Sequence, residues 1–362
     1  MYFKTFIFVI LSRTILQGQE ARFAFGDPIT FTAQSAYTGR AADFDKPERS
    51  PSVALKLNLY PTLKLGSHWF AYGAVQVHST PFIYSELGSN SFEIQSTILQ
   101  AYAGYTRVAE GRSVTVKVGQ LSSAFGSYPL RYDDARNWLI DSPSSYGYYA
   151  PVSLKGLPGA EMDVVLGKAD LRFQFTNSSP GNPRQLWDSG QFGSWTAGAG
   201  YTIRQGFRVG ASAYRGPYLN RDYIYFFPGE ADPKSLPATG LGVDVQYARG
   251  RLNLSGEAHK FLMPYRAIPD YVTENVYGEA KVTLSPRWFV SGRIALSNQG
   301  WTHKLRRSQT YEGVVAFRPA RNQLVKLGYL AIQNPFVPSS LNNVLGLQYV
   351  VTFDPPAVVF DR

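Results

Sequence analysis

Val114-Thr-Val-Lys-Val-Gly-Gln120 alternates without a break. Val114, Val116 and Val118 share one face, and Thr115, Lys117 and Gly119 share the other. That is a strand with one apolar side. It runs straight into nearly forty residues, Leu121 to Pro158, that show no period at all. This stretch carries the aromatics Tyr128, Tyr132, Trp138, Tyr146, Tyr148 and Tyr149. It also carries mixed charge in Arg131, Asp133, Asp134, Arg136, Asp141 and Lys155. A structureless connection longer than about 15 residues is usually functional or disordered. So aromatic a segment can bury surface, which argues against disorder. It reads as a long loop held by a strand scaffold and serving as a constriction. Tyr128, Tyr132, Arg131, Asp133, Asp134, Arg136, Asp141 and Lys155 are the candidate constriction residues.

Outward from this stretch the same alternation recurs, from Ile29–Tyr37 to Val344–Phe353, giving about sixteen strands. Each has roughly 8–12 residues, the length with which a tilted strand crosses a bilayer. The connections alternate between long and short. The long ones are Thr38–Ser52, Thr80–Glu93, Leu121–Pro158, Asn177–Ser194, Gly216–Gly240, Leu262–Asn275, Ser297–Gln309 and Gln333–Asn343. The short ones are turns such as Glu110-Gly111-Arg112 and Arg249-Gly250-Arg251. A transmembrane barrel sorts its loops in this way, with short turns on one side of the membrane and long loops on the other. The expectation is an all-β transmembrane antiparallel β-barrel of about sixteen strands, with its long third external loop folded into the lumen.

The strand faces carry the same message. Leu241, Val243 and Val245, then Val276, Val282 and Leu284, form rows that no charge interrupts. Lys56, Lys117, Arg172, Lys281, Arg293, Glu257 and Glu279 fall on the opposite faces and are the candidate lumen residues. Charges inside strands on one face only need water on that face. Leu57→Arg is therefore expected to destabilise, whereas Asn58→Arg should be tolerated. Aromatics near the short turns (Tyr60, Trp69, Tyr105, Trp195, Tyr201, Phe207, Tyr247, Trp288, Phe317) suggest an interfacial girdle. Gln323–Ile332 fits least well, since Leu324, Leu330 and Ile332 fall on its polar side.

Composition removes other classes. There is no cysteine, so disulfides and thiolate metal sites are excluded. The net charge is +10, but no Lys/Arg run exceeds Arg306-Arg307, so nucleic acid is not an expected partner. Lys4 followed by the apolar run Phe6 to Leu11 reads as a signal peptide over residues 1–18, ahead of a single barrel domain over 19–362. Hydrolase, zinc-protease, phosphate-loop and dinucleotide motifs are missing from the sequence, and neither a cofactor nor a metal is expected. Glu257 and His259 share a strand face, which could pair a base with its orienting group but more simply forms a lumen pair.

Val116-Lys-Val-Gly-Gln120 followed by Phe125-Gly126 resembles a segment of the phosphate-selective (OprO/OprP-like) porin superfamily. The strand layout resembles that of the sixteen-stranded porins whose third external loop enters the barrel. The motif covers about a dozen residues, the layout nearly the whole chain. The family's proline before Phe-Gly is Ala124 here, and its anion-binding arginine ladder does not map onto identifiable positions, so phosphate selectivity is not carried over. The resemblance implies an outer-membrane homotrimer in a Gram-negative-type bacterium. The function expected is passive diffusion of small polar solutes or ions, with a weak anion preference from the basic excess on the lumen faces. A carbohydrate-selective channel is the alternative, and an outer-membrane barrel hydrolase a further one. Outer-membrane lipid and small polar or anionic solutes are the expected partners.

Overall fold

A computed structural model of the chain describes residues 21–40, 52–79, 94–131, 133–143, 146, 156–177, 193–218, 236–333 and 341–360. The signal-peptide expectation, on residues 1–18, lies outside them.

Hydrogen-bonded strands follow one another in chain order. They are β1 (Ala21–Phe25), β2 (Ile29–Arg40), β3 (Ser52–Leu59), β4 (Pro61–Leu65), β5 (Trp69–Ser79), β6 (Ile94–Ala109), β7 (Arg112–Leu121), β8 (Leu157–Leu166) and β9 (Ala169–Thr176). Then come β10 (Ser194–Arg204), β11 (Phe207–Gly216), β12 (Ala238–Arg249), β13 (Leu252–Met263), β14 (Tyr271–Thr283) and β15 (Trp288–Trp301). The last are β16 (Lys304–Phe317), β17 (Gln323–Gln333), β18 (Leu341–Phe353) and β19 (Val358–Phe360). All pairings are antiparallel, and β18 pairs with β2 from Asn342↔Arg40 to Phe353↔Ile29, which closes the sheet. Three staves are each built of two segments. β1 continues into β2, β3 into β4, and β18 into β19, and β1 pairs with β4 and β19 as β2 pairs with β3 and β18. The result is a closed antiparallel barrel of sixteen staves. Closure leaves no sheet edge, so the backbone is satisfied without water. The tail beyond Phe353 extends the last stave, with Val358 opposite Phe23.

Alternation sets the two faces of the wall. Leu241, Val243 and Val245 are 69%, 58% and 41% exposed, while Asp244 between them is buried. The outer face is largely apolar, and about half of the buried residues are polar or charged, unlike the core of a soluble β-protein. Cross-strand aromatic pairs stand beside the short turns: Trp69 with Tyr105 at 5.0 Å, Phe207 with Tyr247 at 5.9 Å, and Trp288 with Phe317 at 4.5 Å. Two expected girdle members are elsewhere. Tyr60 is 3% exposed and turned inward. Trp195 pairs with Arg215, at the rim of the long connections.

One expected loop is not a loop. β15 and β16 pair as far as Trp301↔Lys304, so the Ser297–Gln309 connection shrinks to the turn Thr302-His303. Asn298 lies opposite Arg307 and Gln299 opposite Arg306. Both faces are polar there, so the backbone ladder continues where the hydrophobic alternation has ended.

Candidate functional site

The motif glycines mark where the chain leaves the sheet. Gly119 has φ 144°, and a Cβ there would lie 2.3 Å from the Ala101 carbonyl oxygen, so β7 can bend against β6 only with glycine. Past Leu121 the backbone is met by side chains of other staves. The Ala124 amide donates to Gln174 Oε1 (3.2 Å), and Gln174 Nε2 donates to the Ser122 carbonyl (2.6 Å). A proline at 124 would lack that N–H, which gives the departure from the family motif a physical counterpart. Phe125 is fully buried against Phe261 and His259. Gly126 has φ 74°, and a Cβ there would strike Tyr146 Oη and Glu257 Oε2.

That turn aims successive amides at one carboxylate. Glu257 Oε1 accepts from Ser127 N (2.8 Å), Ser127 Oγ (2.5 Å) and Tyr128 N (2.7 Å). Its Oε2 accepts from Tyr146 Oη (2.6 Å) and stands 2.8 Å from His259 Nε2. Five partners on a buried carboxylate compensate for its lost hydration.

The next acidic pair meets the first staves. Asp133 accepts from Thr30 Oγ1 (3.2 Å), Asn58 Nδ2 (3.1 Å) and, in a close contact, the Tyr60 hydroxyl. Asp134 pairs with Lys56 (2.7 Å) and accepts from Thr32 Oγ1 (2.7 Å). Lys326, fully buried on β17, donates to the carbonyls of Asp134 (2.7 Å) and Leu139 (3.0 Å) and to Gln348 Oε1 (2.9 Å). Leu139 and Ile140 then pack on Leu324, Leu330, Val314 and Val350. The anomalous face of Gln323–Ile332 is apolar where these two side chains rest on it.

Further along, Glu312 Oε1 accepts from the amides of Ile140 (2.9 Å) and Asp141 (3.2 Å). Arg293 bridges Glu312 (3.0 Å), Glu279 (3.3 Å) and the Asp141 carbonyl (2.6 Å). Burial and the adjacent Glu312 push Asp141 up to about 8, against the pull of Arg293.

A cavity of about 750 Å3 remains beside this segment, toward β5, β7, β8 and β9. Lys117 pairs there with Glu161 (2.7 Å) and Asp163 (2.6 Å), Arg172 lies 3.9 Å from Asp163, and Arg208 bridges Asp170 and Asp244. Tyr72 and Tyr102 stand 5.3 Å apart on its wall. Around the cavity, Asp27, Asp133, Glu161, Asp163 and Asp170 face Lys117, Arg136, Arg172 and Arg208, a slight acidic excess.

The expected site residues thus separate. Tyr128, Asp133, Asp134 and Asp141 are gathered with Lys56, Glu257, Glu279 and Arg293 in contacts between segment and wall. Lys117, Arg172 and Arg136 line the cavity. Lys281 stands apart, 4.7 Å from the Phe289 ring and 5.8 Å from that of Trp138. Tyr132, Lys155, Tyr148, Tyr149 and the Arg131 side chain lie outside the described residues. Asn58 is not a water-facing position, since it is 1% exposed and bonded to Asp133 and Gln76. An arginine would not fit there, which reverses the expected tolerance of Asn58→Arg. Sequence reading missed Asp27, Thr30, Thr32 and Gln348; the sole hint was Gly26-Asp-Pro28, which interrupts the alternation.

No protein-family model matches the chain, and no curated protein sequence matches it. Solved structures do. OmpT expressed in the outer membrane of Vibrio cholerae aligns over 93% of this chain and 98% of its own, with TM-score 0.61 and 8% identity. An anion-selective porin from Comamonas acidovorans aligns over 91% and 100%, with TM-score 0.61 and 11% identity. Salmonella typhi OmpF in complex with daunomycin aligns over 92% and 98%, with TM-score 0.59 and 11% identity. At such identities the likeness is one of fold, a sixteen-strand barrel of the porin type.

Proposed function

We propose that the chain is an outer-membrane channel of a Gram-negative-type bacterium, through which small polar solutes and ions diffuse passively, and that the segment 121–158 narrows it. One observation carries the reading: an exposed, largely apolar outer face encloses a charged inner one that still holds a cavity lined by ion pairs. Lipid outside and water inside is the arrangement those two faces require. The contacts of residues 122–143 with inward side chains on both sides of the barrel support the constriction. A homotrimer is part of the proposal, and one of the similar structures is a trimer form of the Vibrio cholerae protein.

The lumen-face charges lean basic while the cavity lining leans acidic, so any anion preference is weak. The alternative of a carbohydrate channel draws on the paired rings of Tyr72 and Tyr102, since aromatic faces beside carboxylates and guanidinium groups suit hydroxyl-rich solutes. A hydrolase reading finds little support. Ser127 and His259 both bind Glu257, so the carboxylate stands between hydroxyl and imidazole, where a nucleophile would need the imidazole beside it.

Replacing residues 128–149 with a short Gly/Ser linker tests the constriction. The barrel should still fold, and single-channel conductance in a planar bilayer should rise. Folded protein with unchanged conductance and solute cutoff would refute it.

A further inference from the structure

The charged side chains described on residues 122–143 do not have one role. Asp133 and Asp134 are buried in contacts with the first staves, and Asp141 is enclosed beside Glu312 and Arg293. The charges of Asp133 and Asp134 are compensated locally. So are those of Lys117 and Arg208 on the far wall, each gripped by two carboxylates. Arg136 differs. Its side chain is 53% exposed, it lines the cavity, and its ion-pair partner is Asp27 of the first stave.

Asp27 is itself out of pattern. The alternation that buries Thr30, Thr32 and Gln34 would send residue 27 toward lipid. The stave is interrupted at Gly26–Pro28, between β1 and β2, and Asp27 lines the cavity instead. The interruption is built in. Gly26 N donates to the Tyr60 carbonyl (2.8 Å), and a Cβ on Gly26 would lie 2.4 Å from Thr62 Oγ1. The first stave is thus broken at Gly26–Pro28, and there it delivers a carboxylate to the segment's exposed cation. So exposed a pair is a weak tether. Either partner can turn to a passing ion, and neither charge is buried in a network.

We infer that the Arg136–Asp27 ion pair is the charge filter of the passage, Arg136 favouring anions and Asp27 cations in near balance. This rests on the channel reading above. The test is the reversal potential of the full-length protein in a planar bilayer under a potassium chloride gradient. A unit charge roughly 8 Å from the ion path in water changes local ion occupancy about two-fold. Arg136→Ala should shift the permeability ratio toward cations by about that factor, and Asp27→Asn toward anions. The double exchange Arg136→Asp with Asp27→Arg should return it near the starting value. Arg136→Gln supplies the same measurement if the alanine variant does not fold. If the unaltered protein conducts and the folded variants keep its ratio, the filter assignment fails while the channel stands. If the folded, unaltered protein conducts nothing, the channel reading fails and takes the filter with it.

Discussion

Glu257→Ala should release the segment from the wall, and the size of the effect follows from the hydrogen bonds. The side chain accepts from two backbone amides, Ser127 N at 2.8 Å and Tyr128 N at 2.7 Å, and from the hydroxyls of Ser127 and Tyr146. Removing it leaves both buried amides without an acceptor, at about 1–3 kcal/mol each. Docking should weaken by about 2–6 kcal/mol. Glu257→Gln is the informative contrast. Its oxygen can stay on the two amides. Its NH2 then faces Tyr146, whose hydroxyl can accept, and His259, whose Nδ1 has no hydrogen-bond partner among the described residues, so that the imidazole can change tautomer and accept through Nε2. Only the charge assistance is lost, about 1 kcal/mol. The assay is limited proteolysis of folded barrels, read as the rate of cleavage within 122–143, with single-channel conductance alongside. The alanine variant should be cut faster and conduct more, and the glutamine variant should lie close to the starting protein. Equal behaviour of both variants, or no change in either, would refute the anchoring role of Glu257.

The remaining predictions are briefer. Val243→Arg, at an exposed outer position in the middle of β12, should destabilise the barrel in lipid by about 2–4 kcal/mol, whereas Val243→Leu should be neutral; equal unfolding free energies would show that this face does not meet lipid. Asp141 is raised from 3.8 to about 8, so the docked state holds a proton that the free segment gives up; docking should be strongest in acid and weaken as pH rises from about 4 to 8. Proteolysis of the segment should therefore quicken between pH 6 and pH 8, and Asp141→Asn should reduce that dependence.

Sixteen staves were legible because each membrane-crossing strand repeats one signal, apolar outward and polar inward, between turn residues. The signal stops where the lipid stops. Ser297–Gln309 therefore read as a loop, although its backbone ladder runs on to Trp301↔Lys304. Tyr60 and Trp195 were misplaced for a related reason: an aromatic near a strand end does not disclose which face or which rim it occupies. The charged and aromatic residues of the segment stood out as a set, but their contacts did not. Charge and aromaticity mark Asp133, Asp134 and Asp141 as notable, yet what each meets depends on residues distant in the chain, such as Thr30 and Asn58 for Asp133, Lys56 for Asp134 and Glu312 beside Asp141. Asp27 escaped because its orientation comes from a local break in the stave.

The face of β17 shows how more could be read from such a barrel. A stave between lipid and water must alternate. One that is apolar on both faces must be covered on both. Leu324 and Leu330 are inward, 3% and 1% exposed, and with Val314, Val344 and Val350 they form an apolar patch on the inside of the barrel wall. Water does not favour such a patch, and Leu139 and Ile140 cover it. Phe261, Tyr214 and Met263 make a second patch on β11 and β13, covered by Phe125. On β7, β8 and β9 the inward residues are instead Lys117, Glu161, Asp163 and Arg172, and the cavity lies against them. Inward apolarity thus marks where the wall holds the segment, and inward charge marks where it stays wet. Applied to this chain, the rule puts the passage off the barrel axis, against the staves on either side of the strand from which the segment departs.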